Sequence, residues 1–333
     1  MSLVACGEKE TTRGARGAPT RAGPTNSAAD AATPLTPVCQ HGGAYLGDDA
    51  GSLCDCPAGT RGEHCEIYTL ALSAGISYTC ALQSDEALTC WGDGPTPPPG
   101  AFKSVFVGVQ TTCAIRTDGT LSCWDHAGAA LTPPGGQFLS VATAFGSSCA
   151  VTLAGNIVCW GVDGTLRPSP LPDSDFVSVV TGGSFTCGLK SDATVTCNGI
   201  ATLSGQFTQL SASETDLCGL KIDGTMVCEG ATYFGPEKTN SIFKWISVGL
   251  SVAGGASHLC AVNPDGSLGC WGASVFGPQP SGVFTAVAAG LSHDCALAEA
   301  GSIVCWGGND SGESTPPKQP GRIADQSNDA GGH

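Results

Sequence analysis

Seven pairs of cysteines, each pair ten residues apart, constrain this 333-residue chain more than any other feature. They are Cys80 and Cys90, Cys113 and Cys123, Cys149 and Cys159, Cys187 and Cys197, Cys218 and Cys228, Cys260 and Cys270, and Cys295 and Cys305. Such a series describes one small unit copied seven times, each copy unable to bury its apolar faces without its neighbours. Four more cysteines, Cys39, Cys54, Cys56 and Cys65, cluster ahead of the repeats, and Cys6 stands apart. Paired cysteines at this density point to an oxidising compartment, so the chain is expected outside the cytoplasm. The repeats lack the short spacings that gather tetrahedral zinc ligands, and no metal is expected.

Aligned on their first cysteine, the units reveal their secondary structure. The next residue is small: Ala81, Ala114, Ala150, Gly188, Gly219, Ala261, Ala296. The one after is aliphatic: Leu82, Ile115, Val151, Leu189, Leu220, Val262, Leu297. This alternation continues on the far side of a turn and predicts a β-hairpin. An even cysteine separation excludes a regular two-residue loop and fits three residues closed by one in the left-handed region. Gly119, Gly155, Gly224, Gly266 and Gly301 stand there, with Glu86 and Ala193 as exceptions. In that register each cysteine faces its partner across the hairpin and can bridge to it. Cysteines and aliphatics share one face while the other is small rather than polar, so both faces are covered, as in the radially stacked sheets of a β-propeller. Phe102, Phe138, Phe176, Phe207 and Phe284, eleven residues before their cysteines, mark a further strand, and Trp91, Trp124, Trp160, Trp271 and Trp306 follow the second cysteine.

Only 13% of the residues are charged, and the net charge is −15. That field repels a phosphate backbone, so nucleic acid is not an expected partner. No apolar run is long enough for a membrane-spanning helix. Leu3-Val4-Ala5-Cys6-Gly7 resembles the lipobox that precedes a lipidated cysteine in bacteria. That resemblance implies lipidation of Cys6 and a secreted or outer-surface lipoprotein held at a membrane without spanning it. Residues 1–37 are expected to form this signal and a disordered linker, and 321–333 a disordered tail.

Between them lie two expected folded parts. Residues 38–66 carry Cys39-Gln40-His41-Gly42-Gly43 and then Cys54-Asp55-Cys56-Pro57-Ala58-Gly59, closing on Cys65. This resembles an epidermal-growth-factor-like module in which Tyr45 stands where the third cysteine belongs and the first is missing. The resemblance implies the pairs Cys39–Cys54 and Cys56–Cys65. Residues 67–320 carry the repeats, whose motif Cys-Ala-Leu-x2-Asp-Gly-x3-Cys-Trp-Gly resembles that of the regulator-of-chromosome-condensation superfamily. The resemblance implies an all-β, seven-bladed propeller; the cysteine spacing, which departs from the nuclear members of that superfamily, places one disulfide inside each blade. His258 and His293 fall where that superfamily often has histidine, and a structural role is expected for both. The superfamily includes a bacterial propeller that inhibits β-lactamase, which makes an inhibitor of an extracellular enzyme the alternative function.

No nucleophile elbow, metalloprotease helix, P-loop or dinucleotide fingerprint occurs, so no catalytic residue, enzyme activity or cofactor is expected. Nucleotide exchange on a small GTPase, known among nuclear members, conflicts with an oxidising compartment. The expected function is binding of a protein or glycan by rim loops of a monomeric scaffold. Irregularity concentrates late in the chain: Asn198 and Glu229 replace Trp, and the longest spacer holds Tyr233, Phe234, Lys238, Phe243, Lys244 and Trp245. Aromatics with a few charges on a long loop suit a binding patch. The other reading of Phe243 is the repeat's core phenylalanine displaced by an insertion, with Trp245 packed beside it.

Overall fold

The computed structural model describes residues 39–41, 43–45, 54–61, 64–161, 171–230, 241–250, 257–272 and 277–318. Cys6, Tyr233, Phe234 and Lys238 lie outside them, as do the expected linker and tail. A short pair, β1 (Ala44–Tyr45) with β2 (Cys54–Asp55), precedes seven antiparallel sheets. Blade one is β3 (Thr69–Ala74), β4 (Tyr78–Gln83) and β5 (Leu88–Gly92). Blade two is β6 (Phe102–Val107), β7 (Thr111–Arg116) and β8 (Leu121–Asp125), with a fourth short strand β9 (Ala130–Leu131). Blade three is β10 (Phe138–Ala144), β11 (Ser147–Thr152) and β12 (Ile157–Gly161); blade four is β13 (Phe176–Thr181), β14 (Thr186–Lys190) and β15 (Val195–Asn198). Blade five is β16 (Phe207–Ala212), β17 (Asp216–Lys221) and β18 (Met226–Gly230); blade six is β19 (Trp245–Val248), β20 (His258–Val262) and β21 (Leu268–Gly272). Blade seven is β22 (Phe284–Ala289), β23 (His293–Ala298) and β24 (Ile303–Gly307).

In every blade the two cysteines are directly opposed on the second and third strands. Cys80 is bonded to Cys90, Cys113 to Cys123, Cys149 to Cys159 and Cys187 to Cys197. Cys218 is bonded to Cys228, Cys260 to Cys270 and Cys295 to Cys305. The Cα atoms of each pair are 4.0–4.1 Å apart, close to the spacing of a non-hydrogen-bonded antiparallel pair. Cys39 is bonded to Cys54 and Cys56 to Cys65. The seven first cysteines are fully buried. Of their partners, Cys123 and Cys159 are buried, while Cys90, Cys197, Cys228, Cys270 and Cys305 are half-buried. The difference follows from position, since the second strand is central in its sheet and the third lies nearer the outer edge. The second strand of blades one and six is buried along its whole length, because a neighbouring sheet covers each face.

The hairpin turn does more than reverse the chain. Its last residue has φ of +77° to +89° at the five glycines, and Glu86 and Ala193 adopt +67° and +68° in their place. This conformation aims the carbonyl at the next blade. Glu86 O accepts from Phe102 N, Gly119 O from Phe138 N, Gly155 O from Phe176 N and Ala193 O from Phe207 N. Gly224 O accepts from Phe243 N, Gly266 O from Phe284 N, and Gly301 O from Thr69 N, over 2.8–3.2 Å for the series. The last of these returns to blade one, so one bond type runs round the ring.

Side chains fill the space between blades. Trp91, Trp124, Trp160, Trp271 and Trp306 each pack on the preceding blade, Trp91 against Cys295 and Leu297 of blade seven. Blades four and five have exposed Asn198 and Glu229 instead, and their small position is Gly188 or Gly219 rather than Ala. There the blade's own phenylalanine closes over the glycine: an added Cβ would lie 2.3 Å from Phe176 Cδ1 or 2.6 Å from Phe207 Cδ1. A Trp-less blade thus keeps a dense interface by a different packing.

Among the described residues no strand is shared between blades seven and one. Flanking segments cross that seam instead. Ala58 O accepts from Ile303 N of blade seven (2.8 Å), and Arg61 pairs with Asp85 of blade one. From the other end, Glu313 O accepts from Trp91 Nε1 at 2.9 Å.

Candidate functional site

The six residues expected to form a binding patch separate in the structure. Tyr233, Phe234 and Lys238 fall in 231–240, outside the described residues. Phe243 is a core residue rather than a binding one: it is 4% exposed, clusters with Leu220, Met226 and Ile246, and meets the edge of Trp271 at 5.5 Å. It stands two residues before the start of the paired strand, as Phe102 stands two before Ser104. Sequence spacing hid this, since Phe243 precedes its cysteine by seventeen residues rather than eleven. The six extra residues fall in the turn between β19 and β20. Trp245 is half-buried and donates its indole N–H to Val287 O of blade seven at 3.0 Å. Lys244 is exposed.

The two rims of the ring differ in construction. At the first rim lie the turns between second and third strands. Five carry aspartate: Asp85, Asp118, Asp192, Asp223 and Asp265. Asp118, Asp192 and Asp223 each accept from the backbone N–H and hydroxyl of the threonine two residues on, and Asp265 does so from Ser267. Those hydrogen bonds hold the four carboxyls below the usual carboxylate range. Lys103, Arg116, Lys190, Lys221 and Lys244 sit beside them, Arg116 and Lys190 stacked over Phe102 and Phe176.

At the opposite rim, first strands turn into second strands and third strands leave for the next blade. A backbone bond closes the turn, as from Gly75 N to Tyr78 O (2.8 Å) and Gly290 N to His293 O (2.8 Å). In blade six the same closure joins Gly249 N to His258 O at 2.8 Å, so its six extra residues leave from an undisturbed base. Exposed Asp93, Glu229 and Asp310 lie at this loop rim. Among the described residues it carries no lysine or arginine.

Just below the loop rim, polar side chains latch blade to blade. The residue two before a blade's first cysteine reaches the residue before the next blade's: Tyr78 with Thr112, His258 Nε2 with Asp294 Oδ1 (2.7 Å), His293 Nε2 with Thr79 Oγ1 (2.6 Å). In blade five Asp216 accepts from Ser257 (2.7 Å), Thr215 (2.9 Å) and Ser213 (3.2 Å). Burial pushes the Tyr78 hydroxyl up and the His293 imidazole down; Asp294 and Glu313 oppose the His293 shift and His258 adds to it. His258, His293 and Asp294 are all fully buried. They bond blade to blade, which agrees with the structural role expected of the histidines. Asp294 Oδ2 also lies 3.7 Å from Cys260 Sγ. Sequence reasoning marked the histidines but not Asp294, whose role depends on a neighbour 36 residues away.

A groove of about 320 Å³ runs outside blade one between Leu88–Cys90 and Thr96–Gly100, with no titratable group in its lining.

Comparison with known proteins agrees with this architecture. The sequence profile of the Regulator of chromosome condensation (RCC1) repeat matches residues 284–313. No curated protein matches the chain significantly. Among solved structures, the CRINKLY WD40 ectodomain of the Arabidopsis thaliana receptor kinase ACR4 is similar at a TM-score of 0.59 and 22% identity, over 77% of this chain and 99% of that one. The entire ectodomain of the Physcomitrella patens receptor kinase CR4 is similar at 0.60 and 20% identity, over 72% and 73%. At these identities the likeness is one of fold. Seven sheets in a closed ring make the chain a β-propeller, and the last blade matches the RCC1 repeat.

Proposed function

We propose that this propeller is a non-catalytic binding module, working outside the cell or at its surface, that takes a protein or glycan at its loop rim. One observation carries the reading: departures from the repeat concentrate at that rim. The first rim keeps one turn design in all seven blades and spends its carbonyls on holding the ring. The loop rim takes the six-residue insertion of blade six and the start of the long spacer after β18. A scaffold that varies one rim while fixing the other is arranged for recognition. Nine disulfides support an oxidising location. Receptor-kinase ectodomains with this fold set a precedent for display outside a cell.

Tyr233, Phe234 and Lys238 are the proposed contact residues; Lys244, beside Asp265 at the first rim, is not one of them. The test screens the purified chain against glycans and extracellular proteins, then measures Kd for the Tyr233→Ala/Phe234→Ala variant. A loss of about tenfold or more, the effect of removing a typical hot spot, at unchanged melting temperature supports the site. Unchanged affinity, or a melting temperature lowered by several degrees, overturns it.

A further inference from the structure

We propose that the interface of blades six and seven holds a redox-gated site for a borderline-soft divalent cation such as Zn²⁺. The site exists only while Cys260 and Cys270 are thiols. His258, Cys260 and Asp294 are buried, and their ligand atoms all lie within 4.8 Å of one another. His258 Nε2 is 2.7 Å from Asp294 Oδ1, and Cys260 Sγ is 3.7 Å from Asp294 Oδ2. With Zn–N and Zn–O near 2.0 Å and Zn–S near 2.3 Å, the edges of a tetrahedral site run about 3.3–3.8 Å. Small shifts suffice to admit an ion between these groups. Cys270, joined to Cys260 by the disulfide, supplies the fourth ligand once the bond opens.

Bridged to Cys270, the Cys260 sulfur offers no thiolate, and the imidazole and carboxylate satisfy each other. A dithiol changes this by ordinary exchange. One thiolate of the reductant attacks Cys270 Sγ, which is partly exposed, and Cys260 leaves as thiolate. The reductant's second thiolate then attacks the mixed disulfide and leaves as half of a cyclic disulfide, releasing Cys270. Two electrons pass from the dithiol to the protein sulfurs, and the cation takes the place of the thiol protons. Disulfide and metal are therefore alternative clamps at one position.

Other blades share the cysteine pair but not its setting. The sulfur of Cys149 meets Thr186 in the next blade and that of Cys295 meets Thr79, each at 3.7 Å. Only the blade-six pair, among the described residues, has an imidazole and a carboxylate together beside it.

The test frees single thiols without reducing the rest of the molecule. Cys270→Ser leaves Cys260 beside His258 and Asp294, and Cys123→Ser leaves Cys113 in blade two as the matched control. Both full-length proteins are titrated with Co²⁺ and then Zn²⁺. The expected result is one Co²⁺ per Cys270→Ser chain with a thiolate-to-cobalt charge-transfer band, lost when Zn²⁺ displaces it, and no such band from Cys123→Ser. Adding Asp294→Asn should weaken binding by no less than the roughly tenfold cost of losing an outer-shell partner. Equal spectra from the two single variants, or none from Cys270→Ser, overturn the proposal. Should Cys270→Ser not fold, reduced wild-type protein is alkylated with and without Zn²⁺. Selective protection of Cys260 and Cys270 supports the site, and equal protection of all pairs overturns it.

Discussion

The two rims of this propeller are made from the same repeat yet follow opposite rules. At the first rim every turn has three residues and ends in a left-handed residue whose carbonyl accepts from an N–H of the neighbouring blade, so a change there is felt by two blades. At the loop rim the chain leaves from closed bases and can take extra residues, as between Gly249 and His258. Where the backbone's hydrogen bonds belong to the ring, turn length is fixed; where they close on themselves, it is free.

The largest expected effect tests where the patch ends and the core begins. Phe243→Ala should cost about 3–5 kcal/mol, as loss of a buried aromatic does, whereas Lys244→Ala should stay within about 0.5 kcal/mol. Urea unfolding measures both, and equal costs would return Phe243 to the surface.

Insertion sharpens the contrast between rims. Two glycines placed between Asp118 and Gly119 should cost about 1–3 kcal/mol, because they misplace the carbonyl that Phe138 N needs and break the turn's own bonds. The same insertion within 251–256 should cost no more than about 0.6 kcal/mol of loop entropy. Similar melting temperatures for the two variants would remove the distinction.

A smaller effect concerns the left-handed turn residue. Gly224→Ala should destabilise by about 1–2 kcal/mol, since Ala pays the left-handed penalty and its Cβ would fall 2.6 Å from Ile242 Cγ2. Ala193→Gly, at φ +68°, should gain up to about 1 kcal/mol. The opposite sign at either position would mean that the turn conformation is not what limits these sites.

The smallest expected effects separate the rims by pH. Burial holds His293 below the ordinary 6.5, so the folded chain binds fewer protons than the unfolded one near that pH. Its contribution is present above 6.5 and is lost as pH falls through the folded value. At the other rim the lowered aspartates contribute above 3.8 and lose that contribution at lower pH. His293→Gln should flatten the fall in stability as pH drops below 6.5 and leave the acid limb below 3.8 unchanged. A parallel shift of the whole profile would place the pH dependence elsewhere.

Much of the blade is legible in the chain alone. The ten-residue spacing, the alternation on both sides of a turn and the glycine that closes it define the hairpin, because strand period and turn conformation are local properties. The same locality pairs Cys159, Cys197, Cys228 and Cys305 with the cysteines ten residues before them, as the disulfides bear out. The exceptions Glu86 and Ala193 are legible as positions, and they take up the left-handed conformation that the turn requires. Phe243 is harder to place, since an insertion downstream shifts its spacing from the cysteine and leaves it looking like a loop residue.

Local pattern thus wrote the blade: its strands, its staple and the number of copies. Packing of blade on blade set the rest. It chose which carbonyl meets which neighbour, matched Gly188 and Gly219 to the missing tryptophans, and stood Asp294 against His258 and a disulfide of another blade. The reason is one of range. A hairpin is written by residues within about a dozen positions of one another, while the space between blades is shared by residues 30 to 40 positions apart, and across the seam by more than 200, as Thr79 and His293 are. No local pattern records which side chains will share that space.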